Sequence, residues 1–188
     1  MTTLVGVQGD NWCVLGSESR ASLDTGRLIE AASPKIVSNN GILIAGAGGG
    51  RGSNLIHYGW KPARPRANQD LDDWITTQFI PQMRLMFIEA GYDMKEEGEF
   101  ASHDSEFLIA INGTLYTIFE DYSWEREQRQ FYVGGSGGDY ALGALEAFNF
   151  RKCTDPRTAE KIVRKSIEVA KKLDVYSGGA VKTFIQRK

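Results

Sequence analysis

Short apolar runs separated by glycine-rich and polar turns fill the first part of the chain. Leu4, Val5 and Val7 lie on one side of Gln8-Gly9-Asp10-Asn11, and Trp12 to Leu15 on the other, which predicts a hairpin of strands over 3–8 and 12–16. Two further short strands are expected over 27–30 and 34–38. Gly41-Ile42-Leu43-Ile44-Ala45 then leads into a glycine cluster, so the first quarter of the chain reads as sheet. Residues 51–68 are irregular, and 60–69, with Pro62 and Pro65, are expected to form a surface loop.

The period changes at Asp70. Leu71, Trp74, Ile75, Phe79, Ile80, Met83, Met86 and Phe87 follow helical spacing, with Asp70 as N-cap, Gly91 as stop and Pro81 positioned to kink or divide the helix. This aromatic and methionine stripe is core packing. Residues 92–104 are polar loop. Phe107–Ile111 and Thr114–Phe119, joined by Asn112-Gly113, predict a type I′ hairpin that begins a second sheet. A strand over 130–133 and a helix over 139–149 follow. Asp155 then caps a helix that starts with Pro156 and runs to about Leu173, and a last strand spans 180–186. The pattern is α+β, two sheets with helices segregated outside them.

At 188 residues the chain is long enough for a single domain, 1–188, with a substantial core. Hydrophobic residues at 41% and charged residues at 24% exclude the disordered and fibrous classes. A net charge of −2 gives no general attraction to nucleic acid or an anionic membrane, and Lys61, Arg64 and Arg66 read as a solvated loop. Cys13 and Cys153 lack metal-ligand spacing, and the histidines are His57 and His103, so no metal site is expected. Free thiols, the absence of a signal-like N-terminus and of a run of 18 apolar residues lead to the expectation of a cytoplasmic protein without a membrane anchor.

Candidate chemistry begins with two features. The cluster Gly46-Ala47-Gly48-Gly49-Gly50-Arg51-Gly52 lacks the ending of a phosphate-binding loop and the context of a dinucleotide fingerprint, so a tight strand-to-helix turn is expected instead. The terminus is Met1-Thr2-Thr3. Removal of Met1 would leave Thr2 with a free α-amine, a proton acceptor whose ordinary pKa of about 7.7–8.0 makes the same residue nucleophile and base.

Glycine-flanked polar segments complete the picture: Gly16-Ser17-Glu18-Ser19-Arg20-Ala21-Ser22, Gly134-Gly135-Ser136-Gly137-Gly138 and Asp174-Val175-Tyr176-Ser177-Gly178-Gly179. In order with Thr2-Thr3, Lys35-Ile36 and Ile44-Ala45-Gly46, they resemble the proteasome β-type subunits and HslV-like peptidases of the N-terminal-nucleophile hydrolases. The likeness spans nearly the whole chain, with SGGDYALGALEAF at 136–148 adding to it.

The resemblance implies a four-layer αββα sandwich and a threonine endopeptidase acting on unfolded proteins. Thr2 would be the nucleophile, Lys35 the essential lysine, Glu18 its acidic partner and Arg20 a support on the same strand face. Gly46 would supply the oxyanion-binding N–H, and Ser136, Asp174 and Ser177 the polar cluster around the terminal amine. Ala21, Ser33, Val37, Ile44 and Gly48 would line a substrate pocket suited to apolar residues. The resemblance also implies homo-oligomeric stacked rings, an ATP-dependent AAA+ unfoldase as partner, no cofactor for the chemistry, and a structural cation near Asp174–Ser177. A non-catalytic ring or scaffold subunit and an amidase for a small molecule are the alternatives. The chain departs from the family pattern in lacking an acidic residue near Gly50 and Arg51, and in one extra residue between Arg20 and Lys35.

Overall fold

The computed structural model describes residues 2–23, 25–94 and 100–188. Strands β1 (Leu4–Gln8) and β2 (Trp12–Ser17) form the expected hairpin, with Val7 opposite Val14. At Ser17 the chain leaves that sheet. Strand β3 (Arg20–Ser22) pairs with β4 (Leu28–Glu30) in a two-stranded ribbon, and β5 (Ile36–Asn39) with β6 (Ile42–Gly48) opens a five-stranded sheet completed by β7 (Ser105–Ile111), β8 (Thr114–Ile118) and β9 (Trp124–Glu125). The first quarter is therefore split among three sheets, and the second large sheet starts at β5, well before residue 107. The reason lies in β6: Ile42 to Ala47 are buried on both faces, so this strand needs a neighbour on each edge, and β7 is the second.

The other large sheet has the order β10-β1-β2-β11, with β10 at Phe131–Gly134 and β11 at Lys182–Arg187. Asn112 and Gly113 have φ of 50° and 75°, as a type I′ turn requires. Asn40 and Gly41, at 51° and 77°, form a second such turn between β5 and β6 whose Asn-Gly signal the sequence reading passed over.

Side-chain alternation along the strands defines four layers. Ile42, Ile44, Phe107 and Ile109 face a helical layer containing Trp74, Phe79, Met83 and Phe87. Val5, Val7 and Val14 face α4 (Gly138–Ala147) and α5 (Pro156–Leu173) through Ala141, Leu145, Val163 and Ile167. Leu4, Leu15, Leu43, Ala45 and Leu108 fill the space between the sheets. Three apolar clusters between four layers make an αββα sandwich.

The first helical layer is built from α1 (Gly50–Asn54), which continues as a π-helical turn Leu55–Gly59, and from α2 (Leu71–Trp74), a π-helical stretch Ile75–Phe79 and α3 (Ile80–Glu89). Asp70 caps α2 through a 2.9 Å bond from the Asp73 N–H. Pro81 lies in the first turn of α3, where the widened π-helical stretch absorbs its missing N–H, so the helix is divided without a break in the chain. Asp155 caps α5, accepting from the Arg157 and Thr158 N–H groups at 2.9 and 3.0 Å, with Pro156 in the first helical position.

Gln186 on β11 joins the two Asn-Gly turns. Its amide donates to the carbonyls of Gly41 and Ala110 at 2.8 and 2.9 Å, and its oxygen accepts from the Gly113 N–H at 3.2 Å. No helix among the described residues is long and apolar enough to cross a membrane.

Candidate active site

Sheet order places the site. Strand β1 is internal, with Leu4 opposite Gly134 on one side and Ser17 on the other. The residues just before Leu4 must therefore lie between the glycine loop that follows β10 and the chain leaving β2. Thr2 and Thr3 are both buried there, as are Ser17, Glu18, Asp174 and Ser177.

Lys35, immediately before β5, reaches across to this point. Its Nζ donates to Thr2 Oγ1 at 2.8 Å and forms an ion pair with Glu18 Oε1. The Glu18 side chain is wholly buried, yet its oxygens accept from the backbone N–H groups of Thr3 (3.1 Å), Arg20 (2.6 Å) and Gly178 (3.2 Å) in addition to Lys35. A buried carboxylate held by three amides and an ammonium is fully compensated, and it fixes three chain segments at once. Burial draws the Lys35 ammonium pKa below its ordinary value, while Glu18, Asp174 and Glu30 oppose that drop.

A second polar chain meets the first at Thr3. Asp174 Oδ2 accepts from Ser136 Oγ at 2.8 Å and from Ser177 Oγ at 2.6 Å, and Ser177 Oγ lies 2.6 Å from Thr3 Oγ1. Burial raises the Asp174 carboxyl pKa, but the hydrogen bonds from Ser177, Ser136 and the Tyr176 N–H outweigh it and hold the group below its ordinary value. The glycines around Ser136 are dictated by crowding. A Cβ on Gly137 would collide with Thr3 Oγ1, and one on Gly135 with the Thr2 carbonyl, which accepts from the Gly137 N–H at 3.2 Å.

Thr2, Glu18, Lys35, Ser136, Asp174 and Ser177 are thus gathered as expected. Arg20 is not placed as expected. Because β2 ends at Ser17 and β3 belongs to another sheet, Arg20 and Glu18 share no strand face. Its guanidinium turns to Glu30 at 3.7 Å and to the Ser177 carbonyl at 3.3 Å, leaving only its backbone N–H on Glu18.

Gly46 also differs. Its N–H donates to the Lys35 carbonyl at 3.3 Å as part of the β5–β6 ladder, so it is not a free oxyanion donor, and a Cβ would fall 2.9 Å from Ser53 Oγ and 3.0 Å from Phe107. Close packing explains this glycine. The expected apolar pocket is likewise not formed from the five residues named for it: Ile44 is fully buried in the helix-facing core and its strand partner Val37 packs against that core. Ser33 is exposed and Ala21 lies half-buried on β3. Gly48 does line an open cleft, whose other walls include Ser22, Leu23, Gly49, Gly50 and Tyr176.

Beside the start of α1, which lacks the acidic residue of the family pattern, the Asp104 carboxylate accepts from the Gly49 N–H at 2.7 Å and from the Tyr92 hydroxyl at 3.2 Å. A cation near Asp174–Ser177 does not fit the residues present. The Asp174 carbonyl accepts from the Ser177 N–H, the Gly178 carbonyl from Ser19 and Arg20, and the Arg20 guanidinium sits on the Ser177 carbonyl. Among the described residues no group of three or more metal-ligating side chains gathers elsewhere. Thr3 and the Gly178 N–H are site groups that sequence reasoning missed; the doubled threonine was the available signal.

An αββα sandwich whose first strand carries a buried threonine at its entrance, against a lysine–carboxylate pair, is the architecture of the N-terminal-nucleophile hydrolases. In sequence and in fold the chain is similar to HslV and to proteasome β subunits. It is 22% identical to "ATP-dependent protease subunit HslV" of Campylobacter jejuni, with 98% of this chain and 95% of the relative covered. It is 26% identical to "Proteasome subunit beta" of Nanoarchaeum equitans, with 98% and 92% covered. Its fold superposes on BPH of Thiobacillus denitrificans with a TM-score of 0.75 at 20% identity, covering 99% and 98% of the two chains; BPH is also known in complex with epoxomicin. No protein-family model matches the sequence.

Proposed function

We propose that the chain is a threonine endopeptidase in which Thr2, freed by removal of Met1, is the nucleophile. The observation that carries this reading is the 2.8 Å contact of the Lys35 ammonium with Thr2 Oγ1, made while Glu18 holds that ammonium in a buried ion pair. A positive charge at this distance lowers the pKa of the threonine hydroxyl and of the adjacent amine. Thr2 Oγ attacks the peptide carbonyl carbon and its proton passes to the α-amine. The tetrahedral intermediate then expels the leaving amine, which takes that proton, and leaves an ester on Thr2. Water, deprotonated by the same amine, hydrolyses the ester and restores the enzyme. Ser136, Asp174 and Ser177 orient the terminus. With Met1 attached the Thr2 nitrogen is an amide and cannot serve as base.

Substrate reaches Thr2 along the cleft beside β3. That strand pairs with β4 on one edge, and the cleft between Ser22-Leu23 and Gly48–Gly50 has room for an extended peptide backbone. The reading extends to a ring of identical subunits fed by an ATP-dependent unfoldase; in its support, one curated relative is named as an ATP-dependent protease subunit and another as a proteasome subunit.

Intact mass should show loss of Met1, and the processed protein should hydrolyse unstructured fluorogenic peptides. Thr2→Ala should abolish that hydrolysis and leave the particle size on a light-scattering column unchanged. Hydrolysis that survives Thr2→Ala overturns the mechanism. A Met1-free ring that cleaves no peptide and takes up no epoxomicin overturns the activity.

A further inference from the structure

One wall of the cleft beside β3 carries no side chains. Gly48, Gly49 and Gly50 form it where β6 turns into α1, and the cleft they share with Ser22 and Leu23 has a volume of about 570 Å³. Crowding imposes the first two glycines. Gly48 has φ of 118°, and a Cβ there would collide with the Asp104 carbonyl oxygen. A Cβ on Gly49 would meet Asp104 Oδ1 and fall 2.6 Å from the Tyr92 hydroxyl.

A corner made of glycines cannot hold itself. Gly49 is the N-cap of α1 and Gly52 stands three residues on, so the helix lacks both side chains of a capping box. The hold comes from elsewhere. The Gly49 N–H donates to Asp104 Oδ1 at 2.7 Å and to the Asp104 carbonyl at 2.9 Å. The Tyr92 hydroxyl donates to the same Oδ1 at 3.2 Å and lies 3.0 Å from Ser105 Oγ, while its ring packs edge-on against Phe87 of α3, with centroids 5.0 Å apart. Tyr92 and Asp104 meet because the chain is paired just beyond them. Met94 and Ser102 exchange backbone hydrogen bonds of 2.7 and 2.8 Å, and Tyr92 and Asp104 stand two residues out from that antiparallel bridge, one on each arm. One carboxylate thus ties the corner to the helical layer.

We propose that Asp104 and Tyr92 are positioning residues for the substrate: they hold the Gly48–Gly50 wall in place across from Ser22 and Leu23, so that an extended peptide enters a cleft already set at its bound width. The inference rests on the reading of Thr2 as nucleophile and of this cleft as its approach. A wall of bare backbone offers peptide groups to a passing chain, and a wall held still before binding loses no freedom when the chain arrives. Loosening it weakens binding and leaves the reacting step nearly as it was.

The experiment compares Asp104→Ala, Asp104→Asn and Tyr92→Phe with the wild-type assembly, all freed of Met1, in hydrolysis of an unstructured fluorogenic peptide and in hydrogen exchange of the Gly49 amide. Asp104→Ala should raise KM about fivefold, with kcat changed less than about twofold and faster exchange at Gly49. Asp104→Asn keeps an oxygen acceptor and should recover most of the KM and of the protection. Tyr92→Phe keeps the ring on Phe87, removes the hydroxyl, and should fall between the wild type and Asp104→Ala. An unchanged KM or unchanged Gly49 exchange in Asp104→Ala overturns the proposal, as do a kcat loss as large as the change in KM and equal losses in Asp104→Ala and Asp104→Asn. Should Asp104→Ala fail to assemble, Tyr92→Phe decides, and wild-type KM or wild-type Gly49 protection in it overturns the proposal. A wild-type protein that cleaves no peptide overturns the reading of Thr2 and this proposal with it, whereas those failures in an active wild-type background overturn the proposal alone.

Discussion

The hydroxyls of Thr3 and Ser177 lie 2.6 Å apart, linking the second residue of the described chain to a loop 174 positions away. Through Ser177 the link continues to Asp174 and Ser136, so the backbone of Thr2 is held from its C-terminal side by a polar chain. Thr3→Val preserves the shape and removes the hydroxyl. It should cost roughly 1–2 kcal/mol in urea unfolding, the penalty for an unpaired buried polar group, and should lower kcat for peptide hydrolysis. A variant as active and stable as the parent would show that the link is incidental.

Glu18→Ala leaves the Lys35 ammonium without its partner in a site where the lysine side chain is 11% exposed. The loss should be roughly 3–5 kcal/mol, the range for breaking a buried pair, with activity abolished. Glu18→Gln, which retains oxygen for the amides of Thr3, Arg20 and Gly178, should cost less. The double variant Glu18→Ala, Lys35→Met should be more stable than Glu18→Ala alone, and denaturant midpoints for the parent, Glu18→Ala, Lys35→Met and the double variant measure the coupling. Additive losses would contradict a mutual pair.

Gly137→Ala places a methyl group on Thr3 Oγ1. The expected outcome is a folded protein whose kcat falls by two orders of magnitude or so, because the loop must retreat from Thr2 to admit the methyl. Gly143 on α4 has no atom near its would-be Cβ, and Gly143→Ala serves as the matched control, expected to raise the melting temperature slightly. Equal activity in the two variants would remove the steric argument.

His103 supplies a pH dependence unconnected with the site. The ring is buried against Phe87, Phe107 and Tyr122, and neither nitrogen has a hydrogen-bond partner among the described residues. Burial pulls its pKa from 6.5 to about 4, despite the opposing carboxylates of Asp93, Asp104 and Asp121. The unfolded chain therefore binds the proton at a higher pH than the folded one. This contribution to stability is complete above about pH 6.5 and is lost as pH falls towards 4, roughly 3 kcal/mol across the window. Urea titrations at pH 5 and pH 7 should show the difference, and His103→Phe should flatten that part of it. An identical pH slope in the variant would locate the effect elsewhere.

The elements were legible where side-chain pattern and local turn chemistry coincide. Asp70, Asp155-Pro156 and Asn112-Gly113 act as the sequence suggests, because caps and type I′ turns are set by neighbouring residues. The division of the first strands among three sheets was not legible, since nothing local at Ser17 or Ile36 states which distant strand will be the partner. The polar residues of the site could be read from their glycine-flanked segments. Their exact duties could not: Arg20 changes direction because the chain changes sheet, and the Gly46 N–H is consumed by a ladder bond visible only once β5 and β6 are paired. The resemblance puts Ile44 in a pocket wall, whereas in the folded chain it is fully buried against the helical layer, a placement that depends on which sheet face the helices cover.

The internal position of β1 has a consequence in time. Its two neighbours are β2, a few residues on, and β10, more than a hundred residues on, while the polar chain that holds Thr3 comes from beyond α5. During synthesis Thr2, Glu18 and Lys35 emerge well before Ser136, Asp174 and Ser177, which close the polar chain at Thr3. A partly made chain has no Ser136, Asp174 or Ser177 to place around Thr2. The order of the strands thus leaves the cluster around Thr2 incomplete until nearly the whole length described has folded.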